Sequence, residues 1–360
     1  MRGYESPPAG PSVREQQHVI SAVIPTYDGR DLLDVVLGSL AAQTRLADEV
    51  IVVDDASRDG TPSHLAEHWP EVRVVVMPEN SGVAAAMNRC ITEARGDLVL
   101  LLNNDVELAP DCVAELEAAS ETATAGAVVA AKLRDFSDRG LLDGAGDGYS
   151  WAGIAYRRGQ GERDAGQYDQ PVEVFGACAA AAMYSARAFT EVGPFDEQFF
   201  ALGEDADWCF RARLAGYRCY LAPGAVAYHI GSASIGPRIS TFTLYHNWRN
   251  QLWTITKDYP AGALLRHAPD LLLGQLASFA VAARQRCVGT WLRAWTGAIA
   301  GIVPVLRKRR AIQSARRSGR RELEPFIDSA FARARWWLRG PGRTSAATVR
   351  QPPRDPAARR

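Results

Sequence analysis

The chain has 360 residues, of which 47% are hydrophobic and 23% charged, a composition that excludes disorder throughout and suits one large or two medium domains. Its 41 basic and 41 acidic side chains cancel only in sum: residues 261–360 hold 20 Lys and Arg against 5 Asp and Glu, and residues 1–260 hold 21 against 36. The apolar run from Ala294 to Leu306 falls short of the roughly 20 residues that a spanning helix needs, which argues against a simple transmembrane anchor.

The opening residues, 1–17, carry no apolar run of the secretory kind and read as a tail, so a cytosolic protein is expected. The six cysteines include no CxxC pair and fall in apolar or helical stretches, the pattern of reduced packing residues. HVISAVIPTY is a β-branched apolar run, expected as a strand buried on both faces. DLLDVVLGSLAAQ follows with helical spacing. EVIVVDD, VRVVVMP and DLVLLLNND then read as strands, separated by helices in DGTPSHLAEHW and SGVAAAMNRCITEA. Strands alternating with helices predict an α/β fold with right-handed crossovers and a parallel sheet, whose ligands gather at the carboxyl ends of the strands.

Those ends carry Pro25, Thr26, Tyr27 and Asp28, then Asp54 and Asp55, and finally Asn103, Asn104 and Asp105; the third strand leads to Asn80. Neither GxGxxG after the first strand nor GxxxxGK[ST] is present, so the common phosphate-cradling loops are missing. Asp105 on rigid backbone offers hard oxygen ligands for Mg²⁺ or Mn²⁺, and equally suits a loop or helix cap. His229 in YHIGS offers either an imidazole ligand for the same ion or a hydrogen-bonded strand end. From about Lys132 to Tyr168 the chain turns Gly-rich and aromatic, expected as loops and short strands. GEDADW places Glu204, Asp205 and Asp207 at the start of a helix. Carboxylates there suit the helix dipole, and one of them suits a general base. Asp54 and Asp55 divide similarly between holding a loop and binding a base or ribose.

The ordered segments VIPTYDGRDLL, VVDDASRDGT, ENSGVAAAMNRC, LLNNDVEL, GPFDEQFFALGEDADWCFRARLAGY, VAYHIGSAS and HNWRNQLW resemble family-2 glycosyltransferases of the GT-A fold, in particular the bacterial rhamnosyltransferase and galactofuranosyltransferase branch of cell-envelope assembly. The resemblance covers about Ile20 to Pro260. It implies a GT-A catalytic domain over 18–260, with Pro25, Thr26, Tyr27 and Asp55 at the nucleobase and ribose of a nucleotide-sugar donor and Asp54 structural. Asn80, Gly82 and Asn88 would lie beside the nucleotide and sugar. Asn103 to Asp105 stands where the family has its DxD motif, with Asn at the first position, so Asp105 and His229 would hold Mn²⁺ or Mg²⁺ and Asn104 would lie at the donor. Asp205 matches the catalytic base of a single inverting displacement. Arg249 would reach the diphosphate or make a surface ion pair. Tyr149, Trp151, Tyr156 and Trp208 would line the acceptor side or serve in packing. A dTDP-rhamnose donor is the first expectation and UDP-galactofuranose the second, with a glycan or lipid-linked acceptor.

Residues 261–320 read as amphipathic helices edged by Arg and Trp, expected on the anionic inner membrane surface or as a cap on the catalytic domain, and 321–360 as an Arg- and Pro-rich tail. A nucleic-acid binder using this basic region is disfavoured, because no reading module is present and the strand-end acids would go unused. A nucleotidyltransferase acting on a sugar phosphate is the nearer alternative, and the ED, HIGS and WRN segments favour sugar transfer over it.

Overall fold

The protein is seen in a computed structural model that describes residues 18–122, 128–231 and 240–330; the expected tail at 1–17 and the part of the C-terminal tail beyond 330 lie outside the described residues. The four apolar runs form β1 (Ile20–Thr26), β2 (Glu49–Asp54), β3 (Arg73–Val76) and β4 (Leu98–Leu102), joined through α1 (Arg30–Ala41), α2 (Thr61–His68) and α3 (Val83–Glu93). They pair in parallel in the order β4-β1-β2-β3. Every residue of β1 and β4 is buried, as continuous apolar runs require, whereas β3 is a partly exposed edge. Alternate β1 residues serve opposite cores: Val23 packs with α3, and Ile20, Ala22 and Ile24 pack with α1.

The second half adds β5 (Val106–Leu108), α4 (Cys112–Thr122), β6 (Val128–Asp135), β7 (Leu142–Ala145), β8 (Asp147–Ser150), β9 (Ala155–Arg157), β10 (Val172–Val174), β11 (Ala181–Ser185), α5 (Ala186–Val192), α6 (Glu204–Leu214) and β12 (Cys219–His229). Antiparallel β11 joins β4 to β6, and β12 pairs in parallel with β6, so one sheet runs β10-β12-β6-β11-β4-β1-β2-β3. β5 pairs with the end of β12 at His229↔Val106, which brings the first residue of β5, just after Asp105, beside the last residue of β12.

The C-terminal region is helical: α7 (Thr241–Asp258), α8 (Ala261–Arg266), α9 (Ala268–Arg284), α10 (Val288–Ala300), α11 (Ile302–Ala315) and α12 (Arg320–Leu323). α7 starts with a capping box in which Ser240 and Thr243 satisfy each other's free N–H groups. Its Trp248 packs with Ala282 and Ala294, and its Trp253 with Phe199, Ala298 and Val305. The helices after Pro260 are therefore seated on the sheet domain through α7. The chain then returns as β13 (Ile327–Asp328), which pairs with β8 in a small β13-β8-β9 sheet. Leu323 and Ile327 enter the main core, so residues 321–328, expected in the solvated tail, are built into the domain.

Candidate active site

The carboxyl ends of β1, β2 and β4, the start of α6, the end of β12 and the β8–β9 hairpin surround one cleft of about 930 Å³, a size suited to a small-molecule site. Pro25, Thr26, Tyr27, Asp55, Asn80, Gly82, Asn104, Asp105, Asp205 and His229 all line it.

On the β1–β2 side the two acids both hold loops. Asp55 accepts N–H bonds from Ser81 and Gly82, each at 2.8 Å, and burial raises its pKa. Asp54 accepts from the Ser57 N–H at 3.1 Å. Asp55 thus shapes the Asn80–Gly82 turn while facing the cleft. Gly82 has φ +90, and a Cβ there would lie 2.5 Å from the Phe200 carbonyl oxygen, so its close backbone approach is to Phe200.

Asn104 Nδ2 donates to Thr26 Oγ1 at 2.9 Å, tying the β4 end to the β1 end. Asp105 Oδ1 lies 3.2 Å from His229 Nε2, and His229 Nδ1 lies 2.7 Å from Asp143 Oδ2. Burial opposes the imidazolium, but the hydrogen bonds of Asp105 and Asp143 outweigh it and raise the His229 pKa. Arg157 pairs with Asp143, completing a chain behind the imidazole. In its neutral form, with Nδ1–H held by Asp143, the imidazole would present its Nε2 lone pair beside Asp105, so Asp105 and His229 fit a divalent cation that displaces the Nε2 proton, with Asp143 in the supporting position.

On the opposite wall, α6 begins after Gly203, and its three acids separate. Asp205 faces the cleft and accepts the Ala206 N–H at 2.7 Å. Burial raises its pKa. Glu204 is also cleft-lining, with burial and the charge of Asp205 pushing it up to about 8. Asp207 is fully buried and paired with Arg211 and Lys257, away from the cleft. The loop entering α6 has Phe200 at φ +65 and Leu202 at φ +71, left-handed values rare outside glycine. Asn250 holds it there: its Nδ2 faces the carbonyls of Phe199 at 3.1 Å, Ala201 at 2.9 Å and Leu202 at 2.7 Å.

Two expected donor contacts lie elsewhere. Asn88 does not line the cleft; its amide clasps the backbone of Phe195 through both N–H and C=O and also reaches Glu197. Arg249 is absent from the cleft wall because its guanidinium is committed to the carbonyls of Gln198 and Phe199 and lies over the Trp253 ring. HNWRN is therefore a clamp on the 198–202 loop. Of the four aromatics proposed for the acceptor side, Tyr156 lines the cleft. Tyr149, Trp151 and Trp208 are buried core residues, with the Trp208 indole N–H donating to the Gly193 carbonyl.

Sequence reasoning missed Asp143, Asp147, Arg157 and Cys178. All sit in or beside the Gly-rich stretch whose short strands have no readable period. The clue available was the density of Asp in LLDGAGDG beside aromatic residues.

Residues 21–193 match glycosyl transferase family 2. The N-acetylglucosaminyl-diphospho-decaprenol L-rhamnosyltransferase of Mycobacterium tuberculosis is 29% identical over 244 residues, which span 61% of this chain and 78% of that one. Among solved structures, GalNAc-T7 with UDP, GalNAc and Mn²⁺ is similar at a TM-score of 0.57 and 16% identity, covering 69% of this chain and 49% of that one. Residues 1–349 of TarS from S. aureus in complex with UDP-GlcNAc are similar at a TM-score of 0.55 and 17% identity, covering 82% of this chain and 86% of that one. The shared architecture is the GT-A fold.

Proposed function

We propose that this chain, a family-2 glycosyltransferase of the GT-A fold, transfers a sugar from a nucleotide-sugar donor to a lipid-linked saccharide with inversion at the anomeric carbon. The observation carrying the reading is that one cleft holds Asp205 on one wall and the Asp105–His229 pair on the other. Pro25, Thr26, Tyr27, Asp55 and Asn80 offer the β1–β2 rim to the nucleoside. Asp105 and His229 would hold a divalent cation, which would supply positive charge to offset the departing nucleoside diphosphate. Asp205 takes the proton of the attacking hydroxyl, and a single base suffices because inversion needs no covalent glycosyl-enzyme. The surrounding walls add rate by holding the two sugars in line.

The likeness to a rhamnosyltransferase acting on a polyprenol-linked sugar supports dTDP-rhamnose as the first donor to test, with UDP-galactofuranose second. It also supports a role in cell-envelope assembly on the cytoplasmic face of the membrane. No helix among the described residues is long and apolar enough to cross a membrane. Yet ten of the sixteen exposed large hydrophobic residues among them lie between Leu265 and Leu306, on the faces of α8 to α11 turned away from α7. Leu272, Leu276 and Phe279 form one stripe on α9, and Arg266, Arg284 and Arg286 flank it. Such a surface suits a peripheral seat on anionic lipid.

The test is a nucleotide-sugar panel read by thermal shift, followed by nucleoside-diphosphate release with a membrane extract as acceptor. Transfer from one donor that vanishes in Asp205→Asn is expected. Release of pyrophosphate from a nucleoside triphosphate and a sugar phosphate instead would overturn the reading.

A further inference from the structure

Asp147 opens β8 on the cleft wall and is 8% exposed, yet among the described residues no hydrogen bond or ion pair reaches its carboxylate. Its neighbours across the cleft surface are Cys178 and Asp205: a carboxylate oxygen of each acid and the Cys178 sulfur all lie within 4.8 Å of one another. The hairpin that carries it leaves little freedom, since a Cβ on Gly148 would sit 2.3 Å from the Tyr156 ring. A mostly buried carboxyl group that opens on the cleft and has no hydrogen bond among the described residues is placed to make one with a ligand.

We propose that Asp147 binds the acceptor: its carboxyl donates a hydrogen bond to the same hydroxyl oxygen whose proton Asp205 removes. Two oxygens no more than 4.8 Å apart can both lie at about 2.7 Å from a single hydroxyl oxygen between them. That oxygen then accepts from Asp147, donates to Asp205, and keeps one lone pair for the anomeric carbon. As the new carbon–oxygen bond forms, the bond to the diphosphate oxygen breaks and its electron pair leaves with the nucleoside diphosphate. The hydroxyl proton ends on Asp205, and Asp147 keeps its own.

Charge supports this division. Asp147 is faced by Asp205, Arg157, Asp143 and Arg158, with Cys178 beside it. Burial and the charge of Asp205 push it up to about 8 against the pull of the two arginines, which favours placing the shared proton on Asp147.

The inference rests on the glycosyl-transfer reading. Its test measures transfer from dTDP-rhamnose and from UDP-galactofuranose to a detergent-solubilised N-acetylglucosaminyl-diphospho-polyprenol, for wild type, Asp147→Ala and Asp147→Asn between pH 5.5 and 9.5. Asp147→Ala should raise the acceptor KM by roughly tenfold or more, the worth of one buried hydrogen bond, and leave the donor KM within about twofold. Asp147→Asn, which keeps an N–H donor, should recover most of the acceptor KM and lose the alkaline fall in rate, while Glu204→Gln keeps that fall. An unchanged acceptor KM in Asp147→Ala, or a wild-type alkaline limb in Asp147→Asn, overturns the assignment while leaving the enzyme class intact. A wild type that transfers neither of these sugars nor any other of the nucleotide-sugar panel overturns the glycosyl-transfer reading, and this one with it.

Discussion

Lys257 Nζ lies 2.7 Å from Asp207 Oδ1, and both side chains are sealed from solvent, at 1% and 0% exposure. This pair separates the acids of GEDADW: Asp207 anchors α6 to α7, leaving Glu204 and Asp205 on the cleft side of the first turn. Lys257 also pairs with Asp196, while Arg211 on Asp207 and Lys308 on Asp196 supply further positive charge at the same point. Lys257→Met should lower stability by about 3–5 kcal/mol, the cost of stranding buried charge. A urea titration checks it; a loss below about 1 kcal/mol would show that the carboxylates find other partners.

Asp205→Asn should behave in the opposite way. The expected transfer rate is about 10²–10⁴-fold lower, the usual contribution of a general base, with an unchanged urea midpoint and unchanged nucleoside-diphosphate binding. A midpoint that drops with the rate would assign Asp205 a folding role.

For the Asp105–His229 pair, metal binding is the measurement. Asp143→Asn should weaken Mn²⁺ affinity by about 10–100-fold, the scale for a carboxylate that orients a histidine ligand. Asp105→Ala should weaken it further, and chelation should abolish transfer by the wild type. Isothermal titration with Mn²⁺ reads the first two directly. Equal affinity in all three proteins would remove the site.

Glu204 provides a pH test of the cleft's electrostatics. Its folded pKa, pushed up to about 8, exceeds that of an ordinary exposed carboxyl. The folded state therefore binds the proton more tightly than the unfolded chain. That stabilisation is complete below the unfolded value and is lost as pH rises through about 8. Glu204→Gln removes the titration, so its stability relative to wild type should improve between pH 5 and pH 8. Parallel curves of unfolding free energy against pH would contradict the assignment.

Replacing Leu272, Leu276 and Phe279 together by Ser should abolish co-sedimentation with phosphatidylglycerol vesicles while leaving transfer to a soluble acceptor analogue unchanged. Truncation near Pro260 is the poorer probe, because it would bare Trp248 and Trp253 of α7 and remove β13 from its sheet. Equal vesicle binding by the triple variant would move the contact elsewhere.

The parallel half of the sheet was legible because β1 to β4 are uninterrupted apolar runs with helical spacing between them. That Asp105, His229 and Asp205 share one cleft was legible because each stands at the end or start of a regular element that fixes where it lies. Asn88 and Arg249 misled because their partners are backbone carbonyls and N–H groups of 195–199, and main-chain partners leave no trace in side-chain patterns. Asp147 stayed hidden for a related reason. Its strand pairs with β9 and with the remote β13, a juxtaposition made by about 180 residues of chain folding back, and four residues of Gly-rich sequence carry no period to announce it.

Asp196 receives Lys257 from α7 and Lys308 from α11, and it stands in the segment that leads to Asp205, the proposed base. The basic extension and the acidic sheet domain thus share a counter-ion about nine residues ahead of Asp205. Grafting the terminal helices of a homologue onto this chain would have to carry a lysine at the position of Lys308, or the recipient would inherit an under-neutralised carboxylate beside the loop that enters α6.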